Sequence, residues 1–161
     1  MARVIYISGT IEGRSFAEVT TQRDEISAKL VDAGFAVCDP MRHKGKDLGS
    51  GRTKLDLANT DFDITEIIGR DENDVRDSDA LLVLTGDKPS TGTWLEFGLA
   101  IYECQIPVVV IAPKLRAKMD EVGRIVDWTG GKATKVVSDG DEAVEFFRWM
   151  YCERFIVPYN S

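Results

Sequence analysis

The sequence predicts an α/β fold, a doubly wound sheet of five parallel strands in the order 2-1-3-4-5, and three observations carry that expectation. Short apolar runs rich in β-branched residues alternate with longer amphipathic stretches. The short runs are continuously hydrophobic, as strands covered on both faces must be. The stretches between them are long enough for the helical crossovers that parallel strands require. With five such strands the flavodoxin-like order is the usual solution.

The elements follow one another along the chain. "RVIYIS" (Arg3–Ser8) reads as a buried strand, and "SFAEVTTQRDEISAKLVDAG" as a helix ended by Gly34. "FAVCDP" is a second strand, stopped by Pro40 because proline has no N–H for a ladder. "DITEIIGRDENDVRDS" reads as helix and "DALLVLTG" as the most strand-like run of all. "TWLEFGLAIYECQ" is a helix with a strand, "PVVVIAP", behind it. A helix near "AKMDEVGRIVDW", a strand "ATKVVS" and a helix "GDEAVEFFRWMYCERF" complete the order. No repeat or low-complexity tract interrupts it, so residues 1–161 are expected to form one domain. The stretch 41–62, "MRHKGKDLGSGRTKLDLANTDF", has weak periodicity. It reads either as a functional loop or as a surface insertion.

Composition narrows the partners. A formal charge of −7 argues against a nucleic-acid polymer, which demands clustered Lys and Arg. Hydrophobic content of 43% and charged content of 29% are globular values. No apolar run reaches membrane-span length, and the opening "MARVIYISG" has no signal-peptide pattern, so a cytoplasmic protein is expected. Cys38, Cys104 and Cys152 form no CxxC pair, and reduced thiols fit that compartment. A single histidine, His43, leaves little for a His-based triad or a zinc site, and metal catalysis is not expected.

In the expected strand order the first and third strands are neighbours whose helices lie on opposite faces, and the crevice between their carboxyl ends is the default ligand site. Two Gly-rich loops open into it, "SGTIEGRS" (Ser8–Ser15) and "TGDKPSTGT" (Thr85–Thr93). Each combines hydroxyls such as Thr10, glycines such as Gly9 and Gly92, and a following helix N-terminus, a setting that suits anions. Arg14 and Lys88 add positive charge.

Thr93 and Glu96 match a capping box, with Thr93 as N-cap and Glu96 at the third helical position. The same placement suits a nucleophile, because a first-turn carboxylate is held ionised by the helix dipole and faces the crevice. Within the acidic cluster before the third strand, Asp71 falls at the crevice end of its helix, whereas Asp77 and Asp79 fall at the opposite end.

Four segments, "YISGTIEGRS", "DPMRHK", "RDENDVRDSDALLVL" and "PSTGTWLEFGLA", span most of the chain. They resemble the nucleoside 2-deoxyribosyltransferase family, including its nucleoside 5'-monophosphate N-glycosidase branch. The pattern S-x-G-T-x-x-E-x-G-x-A in the last is the most specific. By that resemblance Glu96 is the family nucleophile and Asp71 the aspartate that assists departure of the base. Tyr6, Ser8 and Gly9 border the sugar, and Met41 and Arg42 begin the base-recognition loop. Ser90 stands where transferases acting on free nucleosides often carry aspartate, and where nucleotide hydrolases carry serine.

The resemblance implies a double displacement at C1' through a glycosyl-Glu96 ester, resolved by a second base or by water. It implies a nucleoside or its 5'-monophosphate and a nucleobase as partners, no cofactor, and a homo-oligomer whose neighbouring subunit completes the site. Residues after the fourth strand, among them Lys114, Lys118 and Arg124, fall in the segment that would reach across. Two readings of other classes stand beside it: a nucleotide-sensing module in which Glu96 is only a cap, and a phospho-acceptor receiver domain. The receiver fits poorly, because Ser8-Gly9 occupies the place of its acidic pair.

Overall fold

The computed structural model describes residues 1–11, 13–41, 63–86, 90–122 and 131–151, with the backbone alone over 118–122. Its elements run β1 (Val4–Gly9), α1 (Phe16–Asp32), β2 (Ala36–Cys38), α2 (Ile64–Arg76), β3 (Ala80–Leu84), α3 (Thr91–Gly98), β4 (Val108–Ile111), α4 (Pro113–Val122), β5 (Lys135–Val137) and α5 (Gly140–Tyr151). A π-helical segment, Leu99–Cys104, continues α3 without a break. The strands are all parallel and ordered β2-β1-β3-β4-β5. The expected α/β flavodoxin-like architecture is therefore the observed one.

Alternation along each strand divides the core in two. Ile5 and Ile7 of β1 face Ile26 and Leu30 of α1 and Ala143, Val144 and Phe147 of α5. Tyr6 faces the other way, toward Val75 of α2, Phe97 of α3 and Ala100 of the π segment. All five residues of β3 are buried, which is why that run is apolar without alternation. Each large aliphatic side chain so enclosed contributes about 1.5–3 kcal/mol.

Local chemistry sets the helix ends. Ser15 caps α1 and forms a capping box with Glu18. Gly34, at φ +92°, closes it, with Phe35 N–H donating to Leu30 O at 3.0 Å and Gly34 N–H to Val31 O at 2.9 Å, the Schellman pattern. Asp63 caps α2 by accepting from Thr65 N–H. Three boundaries differ from the sequence expectation. α3 begins at Thr91, two residues early, its continuation from Leu99 is π rather than α, and α4 begins at Pro113 instead of near Ala117. Proline suits a first helical position because its missing N–H is not needed there. Among the described residues no helix is long and apolar enough to cross a membrane.

Candidate active site

β1 and β3 pair from Ile5↔Ala80 to Gly9↔Leu84, so their carboxyl ends lie side by side. The chain leaves β1 for α1 on one face and β3 for α3 on the other, which makes this the switch point of the sheet.

The capping box expected at Thr93 and Glu96 is not formed. Ser90 is the N-cap, its Oγ accepting from Thr93 N–H at 3.5 Å. Thr93 is buried inside the first turn, and its hydroxyl has no hydrogen-bond partner among the described residues. Glu96 therefore sits in the second turn, beyond the free amides. The pattern misleads because serine three residues before a threonine offers an equally good cap one register earlier.

Glu96 instead turns into the sheet. Its Oε1 accepts a hydrogen bond from the Tyr6 hydroxyl at 2.8 Å, and its Oε2 accepts one from the Ser8 hydroxyl. Tyr6 and Ser8 are both fully buried. They point to the same face of β1 because they are two residues apart. Burial pushes the Glu96 carboxyl above the ordinary glutamate value, the hydrogen bonds from Ser8 and Tyr6 pull it back, and the charge of Asp71 raises it further. The expectation of a carboxylate kept ionised by a helix end is thus corrected: its acidity is set by desolvation. Burial, with the charges of Glu96 and Asp71, drives the Tyr6 phenol far above its ordinary value, so Tyr6 is a fixed donor. A carboxylate offers about four acceptor sites, and the two hydroxyls take one on each oxygen.

Asp71, on α2, lies near enough for its charge to act on both Tyr6 and Glu96. The Arg70 guanidinium holds it through Nη2 at 2.7 Å and Nε at 3.2 Å, and Nη2 also donates to Pro40 O. Asp79, by contrast, accepts from Val4 N–H at the start of β1, the opposite end of the sheet.

The remaining candidates divide. Ser90 opens the helix that carries Glu96, and Gly92 is exposed beside it, where an added Cβ would stand 4.0 Å from Ser90 Oγ. Thr10 is half-buried and its carbonyl accepts from Arg14. Arg14 does not join the Glu96 cluster; it runs along α1, donating to Gln22 at 3.1 Å and bordering an open groove with Thr21 and Glu25. Met41 is buried against Val19, with Ile11 and Phe16 packed around it. Arg42, His43 and Arg124, most of the stretch 41–62, and the side chain of Lys118 lie outside the described residues, while Lys114 is exposed near the start of α4. Among the described residues no three His, Cys, Asp or Glu side chains gather as a metal site would require.

Gly9 has a packing reason to be glycine. A Cβ there would stand 3.0 Å from Leu84 O and 3.1 Å from Leu84 Cβ on the neighbouring strand. Gly9→Ala is expected to lower unfolding free energy by about 1–3 kcal/mol, measured by denaturant titration. Unchanged stability would show that β1 and β3 can part at no cost.

Three side chains that organise the site went unassigned in the sequence. Arg23 is 2% exposed and donates to Ile7 O, Gly9 O and Asp39. Asp39 also accepts from Met41 N–H, and Arg70 holds Asp71. Arg23 did leave a signal: it falls between Val19, Ile26 and Leu30 on the buried stripe of α1, where an unpaired charge is untenable.

No family model and no characterised protein matches the sequence. A 2-deoxyribosyltransferase from Bacillus psychrosaccharolyticus superposes with a TM-score of 0.58 at 17% identity, covering 88% of this chain and 90% of that one. A CMP N-glycosidase from Clostridium botulinum gives 0.53 at 10% identity, over 92% and 99% of the two chains. The molybdenum cofactor carrier protein of Chlamydomonas reinhardtii gives 0.56 at 18% identity, over 95% and 100%. At these identities the likeness is one of fold. It places the chain in an architecture shared by N-glycosyl-transferring and N-glycosyl-hydrolysing enzymes and by a cofactor carrier.

Proposed function

We propose that the protein cleaves the N-glycosidic bond of a (2'-deoxy)nucleoside, preferring the 5'-monophosphate, and passes the sugar to another base. The observation that carries this reading is the Glu96 carboxylate, desolvated and gripped by Tyr6 and Ser8 at the switch point of the sheet. A carboxylate stripped of water is more basic and attacks more readily once ionised. One Glu96 oxygen attacks C1', the C1'–N bond breaks, and its electron pair leaves with the base. Asp71 assists that departure by supplying or steering a proton to the base. The nitrogen of a second base then attacks C1' from the vacated side, its proton passes back to Asp71, the ester opens and the Glu96 carboxylate is regenerated. Two displacements retain the configuration at C1'.

Hydrolysis is the alternative for the second step, water replacing the base and releasing sugar phosphate. Incubation with deoxynucleosides and their monophosphates, with and without an added base, decides between them by chromatography. A new nucleotide marks transfer, and free base alone marks hydrolysis. Release of base from none of these substrates would end the enzymatic reading.

Ser90 bears on the phosphate. A carboxylate in its place about 4 Å from a phosphate charge would repel it by roughly 4 kcal/mol at an effective dielectric of 20. Ser90→Asp keeps the helix cap, since aspartate caps as well as serine. It is expected to lower kcat/KM for the monophosphate by roughly 10³-fold relative to the nucleoside. Equal losses on both would remove the phosphate preference.

A non-catalytic reading has one observation behind it, the equally extensive likeness to the molybdenum cofactor carrier. In the non-catalytic alternative, a nucleotide-sensing module, Glu96 would serve structure alone, and ligand would be recovered unchanged after binding.

A further inference from the structure

The edge of β1 toward β2 has a gap in its hydrogen bonding that Arg23 fills. Ala36 N–H donates to Arg3 O at 2.8 Å, and the same spacing sets Pro40 opposite Ile7 O. Proline has no N–H, so β1 runs past the end of β2, and among the described residues no ladder donor meets the Ile7 and Gly9 carbonyls. Arg23 Nη1 donates to Ile7 O at 2.8 Å and Nη2 to Gly9 O at 3.0 Å. The fork therefore straddles Ser8, whose hydroxyl is bound to Glu96 on the other face. Nη1 also meets Asp39 Oδ1 at 2.9 Å, and the Asp39 side chain is 21% exposed.

We propose that Arg23 is a positioning residue for Glu96: it fixes the end of β1 that carries Ser8 and supplies the buried positive charge behind the Glu96 carboxylate. The proposal rests on Glu96 being the reacting group. Among the described residues, the groups facing Glu96 are the Tyr6 and Ser8 hydroxyls from β1, Asp71 with its partner Arg70 from α2, and Arg23 with Asp39 behind the strand. β3 contributes only apolar side chains. Burial and Asp71 oppose ionisation of Glu96, and the charge of Arg23 favours it. A lysine would keep the charge and lose the planar fork.

The test is a pH titration of the Glu96 carboxyl by NMR of isotope-labelled glutamate, assigned with Glu96→Gln, alongside the pH profile of base release. Arg23→Gln is expected to move both upward in pH, with turnover falling about tenfold at the acid end and recovering at the alkaline end. Arg23→Lys should lose thermal stability and keep the wild-type titration. Asp39→Asn removes the carboxylate paired with Arg23, preserves its acceptor and should move the Glu96 titration downward. It also decides the matter should Arg23→Gln fail to fold. An unmoved Glu96 titration in either folded variant, Arg23→Gln or Asp39→Asn, overturns the proposal. Because the titration needs no turnover, shifts of the expected sign without base release leave the action of Arg23 on the Glu96 carboxyl standing and remove the enzymatic reading on which its positioning role rests.

Discussion

Glu96→Gln is expected to lose base release by roughly 10³-fold or more and at the same time to unfold at a higher temperature than the wild type at neutral pH. The first effect follows because an amide oxygen cannot form the glycosyl ester. The second follows from the sign of the Glu96 shift. Its carboxyl is raised above the ordinary value of 4.5 by burial, so the folded state retains a proton that the unfolded chain has already released. Across that interval stability falls as pH rises, and at neutral pH the half-buried charge opposes folding. Glutamine lacks the charge and can still meet the Tyr6 and Ser8 hydroxyls. The stability gap should close as pH falls below the unfolded glutamate value, where both side chains are neutral. Calorimetry across pH checks this, and a Glu96→Gln protein that is less stable at neutral pH would mean the carboxylate is held for structure. A nucleotide-sensing module would show the gain in stability without the loss.

Asp71→Asn is expected to lower kcat by about 10²-fold, the usual contribution of a positioned proton donor or acceptor. Its second signature separates it from general damage. The charge of Asp71 raises the Glu96 carboxyl, so its removal lets Glu96 ionise at lower pH. The acid limb of kcat/KM should then move toward lower pH while its plateau drops. A lowered plateau with an unmoved limb would mean that Asp71 acts only on the leaving base. An undiminished plateau would remove it from the reaction. Arg70, its partner through two hydrogen bonds, remains to hold the asparagine oxygen, so the local packing is preserved.

The order of elements was legible because each strand announces itself by composition: β3 is five apolar residues in a row, buried on both faces. The switch point followed from that order, and with it the meeting of the β1 loop and α3. Glu96 and Asp71 could be placed at the same end of the sheet for the same reason. The partners of Glu96 could not be derived in this way. Tyr6 and Ser8 are 90 and 88 positions away from it, and nothing in local pattern pairs a strand hydroxyl with a helix acid.

What the sequence by itself determined is topology, since hydrophobic period, turn residues and right-handed crossovers are local or nearly local rules. It also put Glu96 and Asp71 at one end of the sheet, but not Arg14, which runs along α1 instead. Only the tertiary structure decided their electrostatics. Whether Glu96 is a solvated cap or a desolvated acid depends on one shift of helix register, from Thr93 to Ser90 as N-cap. That shift turns the carboxylate from backbone amides toward two buried hydroxyls. Arg23 shows the same limit: its need arises where Pro40 ends a ladder on a neighbouring strand. Charge and solvation at the site are sums over elements far apart in sequence, and they exist only once the sheet has closed.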